Sequence, residues 1–197
     1  TSKDALHQYK SLLKDGSQWG IAIDFIIQDH PNGIAEAFLL GENFLGEESC
    51  ALILGDNLFY GDNLPHIIRK AIKRKTGATI FAYEVEDPER FGIISFNSKK
   101  QIESIEEKPK IPKSNYAVPG LYFYDHRVVE FAKNLRPSKR GELEIQDINQ
   151  QYLDKGELFV EFCDDSVDWI DAGTFTSLLN ASSYVRGIEE KLGIKIS

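Results

Sequence analysis

Two continuous apolar runs on either side of an amphipathic helix constrain the fold of this chain more than any other feature. Residues 50–54 and 78–85 consist mostly of apolar side chains, a pattern typical of strands that are covered on both faces. Between them, residues 64–75 repeat leucine and isoleucine at helical spacing. A strand–helix–strand unit of this kind predicts parallel pairing of the two strands through a right-handed crossover.

The remaining pattern predicts further strands and helices around this unit. Residues 92–106 alternate between apolar and polar side chains, which is typical of a hairpin. Further strands are predicted at residues 21–27, 116–124, 158–162 and 167–170, and helices at residues 4–13, 34–44, 126–134 and 143–154. Together these elements predict an α/β protein with a mainly parallel sheet, followed by an antiparallel excursion.

A last helix is predicted to begin after Thr174, whose hydroxyl is a suitable N-cap. Its helical spacing places six side chains on one face, which we expect to be buried: Phe175, Leu178, Leu179, Ser182, Val185 and Ile188.

Composition restricts the classes of partner. The 197 residues include 23 Lys and Arg against 31 Asp and Glu, and the net charge of −8 argues against binding to nucleic acid or an anionic membrane. No apolar run reaches the roughly 18 residues of a membrane span. The two cysteines, Cys50 and Cys163, are interpreted as buried free thiols of a cytoplasmic protein. The sequence contains no methionine, so we expect it to begin after the translated start.

Two aspartates that follow short apolar strands provide the first chemical hypothesis. Asp56 follows the run 50–54, and Asp171 ends the segment 167–171 just before Gly173. Ligands of open α/β sheets bind beyond the carboxyl ends of strands, so the two carboxylates could hold one Mg²⁺ ion, with phosphate oxygens completing its shell. The alternative is that both aspartates only stabilise the turns and helix starts that follow them.

Two further segments carry weaker hypotheses. Glu107 and Lys108 precede Pro109 at a predicted strand tip, where the carboxylate could accept hydroxyl hydrogen bonds from a sugar and the ammonium could meet a phosphate. Gln28 precedes the turn at Pro31 and Gly33, and its amide could read the edge of a base. The alternatives are a solvated charged loop and an ordinary turn. Motifs of P-loop and dinucleotide-binding proteins, zinc sites and serine hydrolases are absent.

The sequence resembles the sugar nucleotidyltransferase family, and within it the thymidylyltransferases that act on glucose 1-phosphate. The resemblance is carried by eight segments that follow one another in order across nearly the whole chain: residues 15–20, 54–57 with 59–61, 87–92, 106–109, 113–118, 120–124, 140–145 with Asp147, and 169–173. It implies the Rossmann-like fold of nucleotide-diphospho-sugar transferases in a single domain. Within that domain, residues 1–86 would form the nucleotide side, residues 87–173 the sugar-binding part and residues 174–197 a C-terminal helix.

The resemblance also implies an activity and a role for each candidate residue. The reaction would be Mg²⁺-dependent transfer of a thymidylyl group from dTTP to glucose 1-phosphate, for dTDP-sugar and O-antigen synthesis, by a cytoplasmic homotetramer. The implied metal ligands are Asp56 and Asp171, with Lys108 as the third catalytic residue. The implied nucleotide contacts are Gln28, Pro31, Gly33 and Asp56, and the implied sugar or sugar-phosphate contacts are Asn57, Gly92, Glu107, Lys108, Val118, Tyr122, Arg140 and Trp169.

The sequence departs from the family at both ends. The family opens with a first strand and a glycine-rich phosphate loop, followed by an arginine and a lysine, and it continues beyond the segment that ends at Ser197. We therefore expect a chain cut at both ends that is inactive by itself. Two alternatives remain open, a glycosyltransferase that uses a nucleotide sugar and a non-catalytic module that binds sugar phosphates.

Overall fold

The structure is a computed structural model that describes residues 1–196. The helices are α1 (Leu6–Leu13), α2 (Glu36–Leu40), α3 (Glu42–Leu45), α4 (Leu64–Lys73), α5 (Val128–Lys133), α6 (Ile145–Asp154) and α7 (Phe175–Leu192), with short 3-10 turns at Ser17–Trp19 and Pro88–Arg90. The strands are β1 (Cys50–Ile53), β2 (Asn57–Gly61), β3 (Ala78–Glu84), β4 (Gly92–Phe96), β5 (Ile102–Glu107), β6 (Tyr116–Ala117), β7 (Leu121–Tyr124), β8 (Leu158–Phe162) and β9 (Val167–Asp171). Within the described residues, no helix has the length and apolar character needed to cross a bilayer.

The chain divides into two compact units. The first comprises Thr1–Glu48 and His126–Gln151, and it contains α1, α2, α3, α5 and most of α6. The second comprises Ser49–Asp125 and the chain from Tyr152 onwards, and it contains all nine strands together with α4 and α7. The prediction of a single domain divided at residues 86 and 173 stays a prediction.

The main sheet of the second unit differs from the expected arrangement of its strands. Its order is β1-β7-β3-β6-β4-β5, with β8 paired to β3. The β3–β8 ladder is parallel, whereas the other ladders in the described part of the sheet are antiparallel, so the prediction of a mainly parallel sheet is wrong. The strands β1 and β3 do run in the same direction, but β7 lies between them. An apolar run identifies a strand without identifying its neighbour, which explains the error.

The predicted strand over residues 116–124 is interrupted, and the interruption divides the sheet. Its first part, β6, pairs with the end of β3 and with β4, whereas its second part, β7, pairs with the beginning of β3 and with β1. The intervening residues Val118–Gly120 belong to neither strand. The sheet therefore opens between β1 on one side and the β4–β5 hairpin on the other.

A two-stranded ladder of β2 and β9 was absent from the sequence-based prediction of strands. The two strands pair antiparallel, with Asn57 opposite Asp171 and Gly61 opposite Val167. A Cβ atom at Gly61 would lie only 2.0 Å from the carbonyl oxygen of Ser166, so the close approach of the strands requires glycine there. This ladder joins segments more than 100 residues apart in sequence.

Helix α4 covers one face of the sheet as the periodicity predicted. Its Ile67 and Ala71 are buried in a cluster with Phe81 of β3, Leu121 of β7 and Val167 of β9. This burial of apolar surface holds β2–β9 and the main sheet in one unit. The buried cluster therefore fixes the positions of β3, β7 and β9 relative to one another near the opening of the sheet.

Several predictions about burial and local structure are wrong. Residues 21–27 form no strand, because no described strand pairs with them, and the predicted helix 34–44 is broken at Gly41 into α2 and α3. Strand β1 is at the edge of the sheet, with Ile53 exposed rather than covered. Much of the expected buried face of α7 is open: Phe175 is 94% exposed, Val185 and Ile188 are half-buried, and the buried residue of the helix is Ala181.

Candidate active site

The opening in the sheet is held by the residues that follow β1. The amide of Leu54 donates a hydrogen bond to the carbonyl of Gly120 (2.9 Å), and the amide of Gly120 donates to Oδ1 of Asn57 (2.9 Å). A Cβ atom at Gly120 would lie 2.6 Å from Cγ of Leu54, so a larger residue would push the two segments apart. Glycine at this position therefore permits the close contact that fixes residues 54–57 against the strand break.

The two candidate metal ligands, Asp56 and Asp171, lie together at one end of the β2–β9 ladder. The amide of Ala172 donates to the backbone carbonyl of Asp56 (2.7 Å), and the amide of Gly173 donates to Oδ1 of Asp171 (2.9 Å). A Cβ atom at Gly173 would lie 3.0 Å from Oδ1 of Asp171 and 3.4 Å from Oδ2 of Asp56. One oxygen of each carboxylate therefore borders the same open position above Gly173.

This arrangement fits a hard divalent cation. Carboxylate oxygens are the ligands that Mg²⁺ prefers, and Mg²⁺ is usually held by one or two carboxylates together with substrate phosphates and water. Residues 1–196 contain no cluster of three or more Asp, Glu, His or Cys side chains with metal-binding geometry. The two aspartates would therefore supply a partial shell that water or substrate phosphates would complete.

The side chain of Asn57 connects the metal candidates to the wall of the opening. Its Oδ1 accepts hydrogen bonds from the Gly120 amide and from Nε1 of Trp169 (2.7 Å), and its Nδ2 donates to Oδ1 of Asp56 (2.8 Å). Both the oxygen and one of the two amide hydrogens are thus engaged within the chain. The predicted contact with a glucosyl group would have to use the second hydrogen.

The predicted sugar contacts on the other side of the opening also lie together. Gly92 pairs with Glu107 in the β4–β5 ladder, and the amide of Val118 donates to the carbonyl of Gly92 (2.8 Å). Lys108 is held at the tip by its amide, which donates to the carbonyl of Phe91 (3.1 Å), and its φ of 44° is in the left-handed region. Its Nζ lies 3.9 Å from Oε1 of Glu107. A carboxylate, an ammonium and two backbone segments are thereby presented at one edge.

Two aromatic side chains, Tyr122 and Trp169, lie near the two aspartates and the Glu107–Lys108 edge. Tyr122 is buried, and its pKa is raised by that burial and by the negative charges of Glu107 and Asp56, so its hydroxyl stays protonated. The ring of Trp169 makes edge contacts with Tyr83 (5.5 Å between centroids) and Phe91 (5.1 Å). These rings are suited to form an apolar wall and not to transfer protons.

One charged side chain of this region was not assigned a role from the sequence. The guanidinium of Arg90 pairs with Asp87 (Nη1 to Oδ2, 2.7 Å) and lies 3.8 Å from Oδ2 of Asp171. It also lies over the ring of Phe91, 5.1 Å from the centroid. The segment 87–92 contributed to the family resemblance, but its sequence alone gave no indication that Arg90 faces the aspartate.

The predicted base-reading turn belongs to the first unit. Nε2 of Gln28 donates to Oε2 of Glu36 (2.6 Å) and to the carbonyl of Gly33 (3.2 Å). Hydrogen bonds from Asn32 and Gln28 lower the pKa of Glu36. A Cβ atom at Gly33, whose φ is 105°, would lie 2.4 Å from the carbonyl oxygen of Leu143. The turn is thus internally braced, with Pro31 exposed at its tip.

Arg140 also lies in the first unit, where acidic side chains surround its guanidinium. Its Nη2 contacts both carboxylate oxygens of Glu142 (3.1 Å each), and its Nη1 lies 3.6 Å from Oε1 of Glu144. A phosphate contact by Arg140 would have to compete with these carboxylates.

Comparison with known proteins gives one family and a consistent set of relatives. The model of the nucleotidyl transferase family matches residues 1–187. The glucose-1-phosphate thymidylyltransferase of Neisseria meningitidis serogroup A is 48% identical over 189 residues, which are 96% of this chain and 66% of that protein. The enzyme of the same name from Mycobacterium tuberculosis is 47% identical, over 96% of this chain and 65% of that protein. The chain thus spans just under two thirds of the length of these relatives.

Solved structures agree on the fold. A protein from Bacillus anthracis, assigned as a glucose-1-phosphate thymidylyltransferase and crystallised with sucrose, matches with a TM-score of 0.85 and 42% identity over 94% of this chain and 74% of that chain. A UDP-glucose pyrophosphorylase bound to UDP-glucose matches with a TM-score of 0.77 over 92% of this chain and 76% of that chain. At 22% identity, the second match shows a shared fold alone. The predicted nucleotide-diphospho-sugar transferase fold is confirmed, although its strands pair differently from the prediction.

Proposed function

We propose, on the premise that this chain belongs to the nucleotidyl transferase family, that it is part of an enzyme that makes dTDP-glucose and pyrophosphate from dTTP and glucose 1-phosphate. The observation that carries the proposal is the single open position bordered by Asp56 and Asp171, next to the edge that holds Glu107 and Lys108. The relatives named glucose-1-phosphate thymidylyltransferase support the choice of nucleotide and sugar.

The reaction joins two phosphates, and both are negatively charged. A phosphate oxygen of glucose 1-phosphate forms a bond to the α-phosphorus of dTTP, and the bond from that phosphorus to the bridging oxygen breaks to release pyrophosphate. A magnesium ion held by Asp56 and Asp171 would neutralise charge on the phosphates. Lys108 would meet the phosphate of the sugar and reduce the repulsion between the reactants. The chemistry requires alignment and charge compensation more than a protein base.

The sugar would lie against the edge formed by β4 and β5. Glu107 would accept hydrogen bonds from two sugar hydroxyls, and the backbones of Gly92 and Val118 would contact the ring. Asn57 would offer its second amide hydrogen, and Tyr122 and Trp169 would form the wall. In the first unit, Gln28, Pro31 and Gly33 would contact thymine, and Arg140 would contact phosphate.

The proposed setting is the one that the family resemblance implies. We place the enzyme in the cytoplasm, as a homo-oligomer that supplies dTDP-glucose for dTDP-rhamnose and O-antigen synthesis. The thiols of Cys50 and Cys163 suit a reducing compartment, since both are unpaired and burial raises their pKa values to about 11 and about 12.

The glycosyltransferase alternative is not favoured. The relatives are nucleotidyltransferases, and the Glu107–Lys108 edge is suited to a sugar phosphate. A non-catalytic module would have no requirement for two carboxylates that border one position.

The test uses two proteins. The first is this chain, in which binding of glucose 1-phosphate is measured by calorimetry with and without Mg²⁺. The second is the Neisseria meningitidis relative with its matching segment replaced by this chain, in which pyrophosphate release from dTTP, UTP and CTP is measured. We expect turnover with dTTP, and at least a hundredfold loss in Asp56→Asn and Asp171→Asn, about what removing a major charge-stabilising group costs.

The outcomes separate the parts of the proposal. Unchanged turnover in both aspartate variants would contradict the metal assignment. A preference for UTP or CTP would contradict the thymidylyl assignment and leave the family intact. A chimera that folds and binds glucose 1-phosphate without turnover would favour the non-catalytic alternative.

A further inference from the structure

The two candidate metal ligands are held in chemically different ways. Asp56 presents Oδ2 to the open position while its Oδ1 accepts a hydrogen bond from the neutral amide of Asn57 (2.8 Å). Asp171 presents Oδ1 while its Oδ2 lies 3.8 Å from the positive guanidinium of Arg90. One carboxylate therefore has a neutral neighbour behind it, and the other has a cation.

The position of Arg90 does not depend on Asp171. Its short contact is the 2.7 Å pair with Asp87, and its guanidinium also lies over the ring of Phe91. The hydrogen bond to Asp87 raises the pKa of Arg90, which remains charged at all ordinary pH values. A positive charge therefore stays beside the acidic pair when a metal ion takes the place between the two carboxylates.

The position of Asp171 does not depend on Arg90 either. Its Oδ1 accepts the amide of Gly173 at 2.9 Å, and its backbone is paired with Asn57 in the β2–β9 ladder. The ion pair with Arg90 is longer, at 3.8 Å, and the Arg90 side chain is 47% exposed, so the pair contributes little to the orientation of the carboxylate. The dominant effect of Arg90 on this site is therefore its charge.

We propose that Arg90 is a built-in counter-charge that keeps the affinity of the Asp56–Asp171 pair for a bare divalent cation low. The inference rests on the proposed function, because it assumes that this pair holds the metal. A guanidinium beside Asp171 offsets part of the negative charge of the pair and repels an incoming dication. A metal ion that arrives with the phosphates of a nucleotide escapes that repulsion, since the phosphates attract Arg90. Arg90 thereby favours the metal–nucleotide complex over the free ion.

The experiment is a titration of this chain with Mn²⁺ alone. The concentration of free Mn²⁺ is measured by its electron paramagnetic resonance signal. We expect Arg90→Gln to bind Mn²⁺ about three- to tenfold more tightly, from the loss of one positive charge a few ångströms from the ion in a largely solvated site. Arg90→Lys keeps the charge and should stay within about twofold of the unmutated chain. Arg69→Gln, on the exposed side of α4, changes net charge equally and is the matched control.

A structural role for Arg90 would give the opposite result. Loss of a merely structural residue would weaken Mn²⁺ binding in Arg90→Gln, whereas loss of a counter-charge strengthens it. Arg90→Met provides a second uncharged variant that keeps an apolar stem over Phe91, and far-UV circular dichroism checks that both fold. The gain in affinity should shrink in 1 M salt, where the Debye length is only about 3 Å.

The aspartate variants separate the two levels of the argument. Asp56→Asn and Asp171→Asn should each weaken Mn²⁺ binding more than tenfold in the same titration. If they do and both uncharged Arg90 variants bind like the unmutated chain or more weakly, the inference is wrong and the metal assignment stands. If the aspartate variants bind like the unmutated chain, the metal assignment is wrong and the inference is wrong with it.

Discussion

Two regions of the second unit meet near Asp56. In the first, polar groups are engaged in hydrogen bonds, whereas in the second, apolar side chains remain exposed. In the opening of the sheet, the side chain of Asn57 connects Gly120, Trp169 and Asp56. Next to it, a groove of about 800 Å³ extends from Asp56 and Asn57 along β1 and α7, and its lining also includes Ile53, Leu178 and Val185. We call this second region the β1–α7 face. Ile53 and Leu178 remain 58% and 53% exposed there.

The two regions differ in what determines their structure: short-range hydrogen bonds in the opening, and the presence or absence of a covering element on the β1–α7 face. The opening is made by local chemistry, in which a glycine, an amide and two carboxylates bond over short distances. The β1–α7 face has apolar residues at helical spacing, yet nothing in the described residues covers them. The first region should therefore be sensitive to single atoms, and the second should tolerate large changes.

The largest effect should come from Asn57→Ala. The substitution removes three hydrogen bonds and leaves Nε1 of Trp169 and the amide of Gly120 without this acceptor. At about 1 kcal/mol for each bond, the free energy of unfolding should fall by about 3 kcal/mol. The measurement is urea denaturation followed by tryptophan fluorescence.

Asn180→Ala, on the exposed surface of α7, is the matched control. It should leave stability unchanged or raise it by a few tenths of a kcal/mol, because alanine has the higher helix propensity. Equal losses in the two variants would contradict the comparison, since Asn57 would then be no more engaged than a surface asparagine.

The same contrast explains what sequence could and could not predict. Asp56 and Asp171 each follow an apolar segment, with Asn57 directly after the first and Gly173 two residues after the second. This local signal led to the same hypothesis for both aspartates. Strand β2 was not predicted, because its partner β9 is more than 100 residues away and nothing in Asn57–Gly61 identifies it. Leu178 and Leu179 have the spacing of a buried face, but spacing cannot say whether a covering element exists.

The second effect in size concerns the open position above Gly173. Gly173→Ala would place a methyl group 3.0 Å from Oδ1 of Asp171 and 3.4 Å from Oδ2 of Asp56, against the two oxygens that are proposed to bind the metal. Backbone strain does not arise, since φ at Gly173 is outside the left-handed region. We expect Mn²⁺ binding to weaken more than tenfold, about 1.4 kcal/mol or more, with little change in thermal midpoint.

Gly187→Ala in the middle of α7 is the control from the other region. No atom lies within 4 Å of an added Cβ atom there, so the substitution should leave Mn²⁺ binding unchanged and raise stability by about 0.5–1 kcal/mol. If Gly173→Ala keeps full Mn²⁺ affinity, the two aspartates do not share the ion across this position.

The smallest effect should be seen on the β1–α7 face itself. Leu178 is 53% exposed, so Leu178→Gln should change the free energy of unfolding by no more than about 0.5 kcal/mol. Ala181, one turn away in space and only 6% exposed, is the packed contrast, and Ala181→Gln should cost about 1–3 kcal/mol by overpacking. Denaturation at several protein concentrations, with sedimentation velocity, measures both. A loss above 1 kcal/mol in Leu178→Gln, together with slower sedimentation, would show that a second copy covers this face in solution. The contrast between the two regions would then hold only for the monomer.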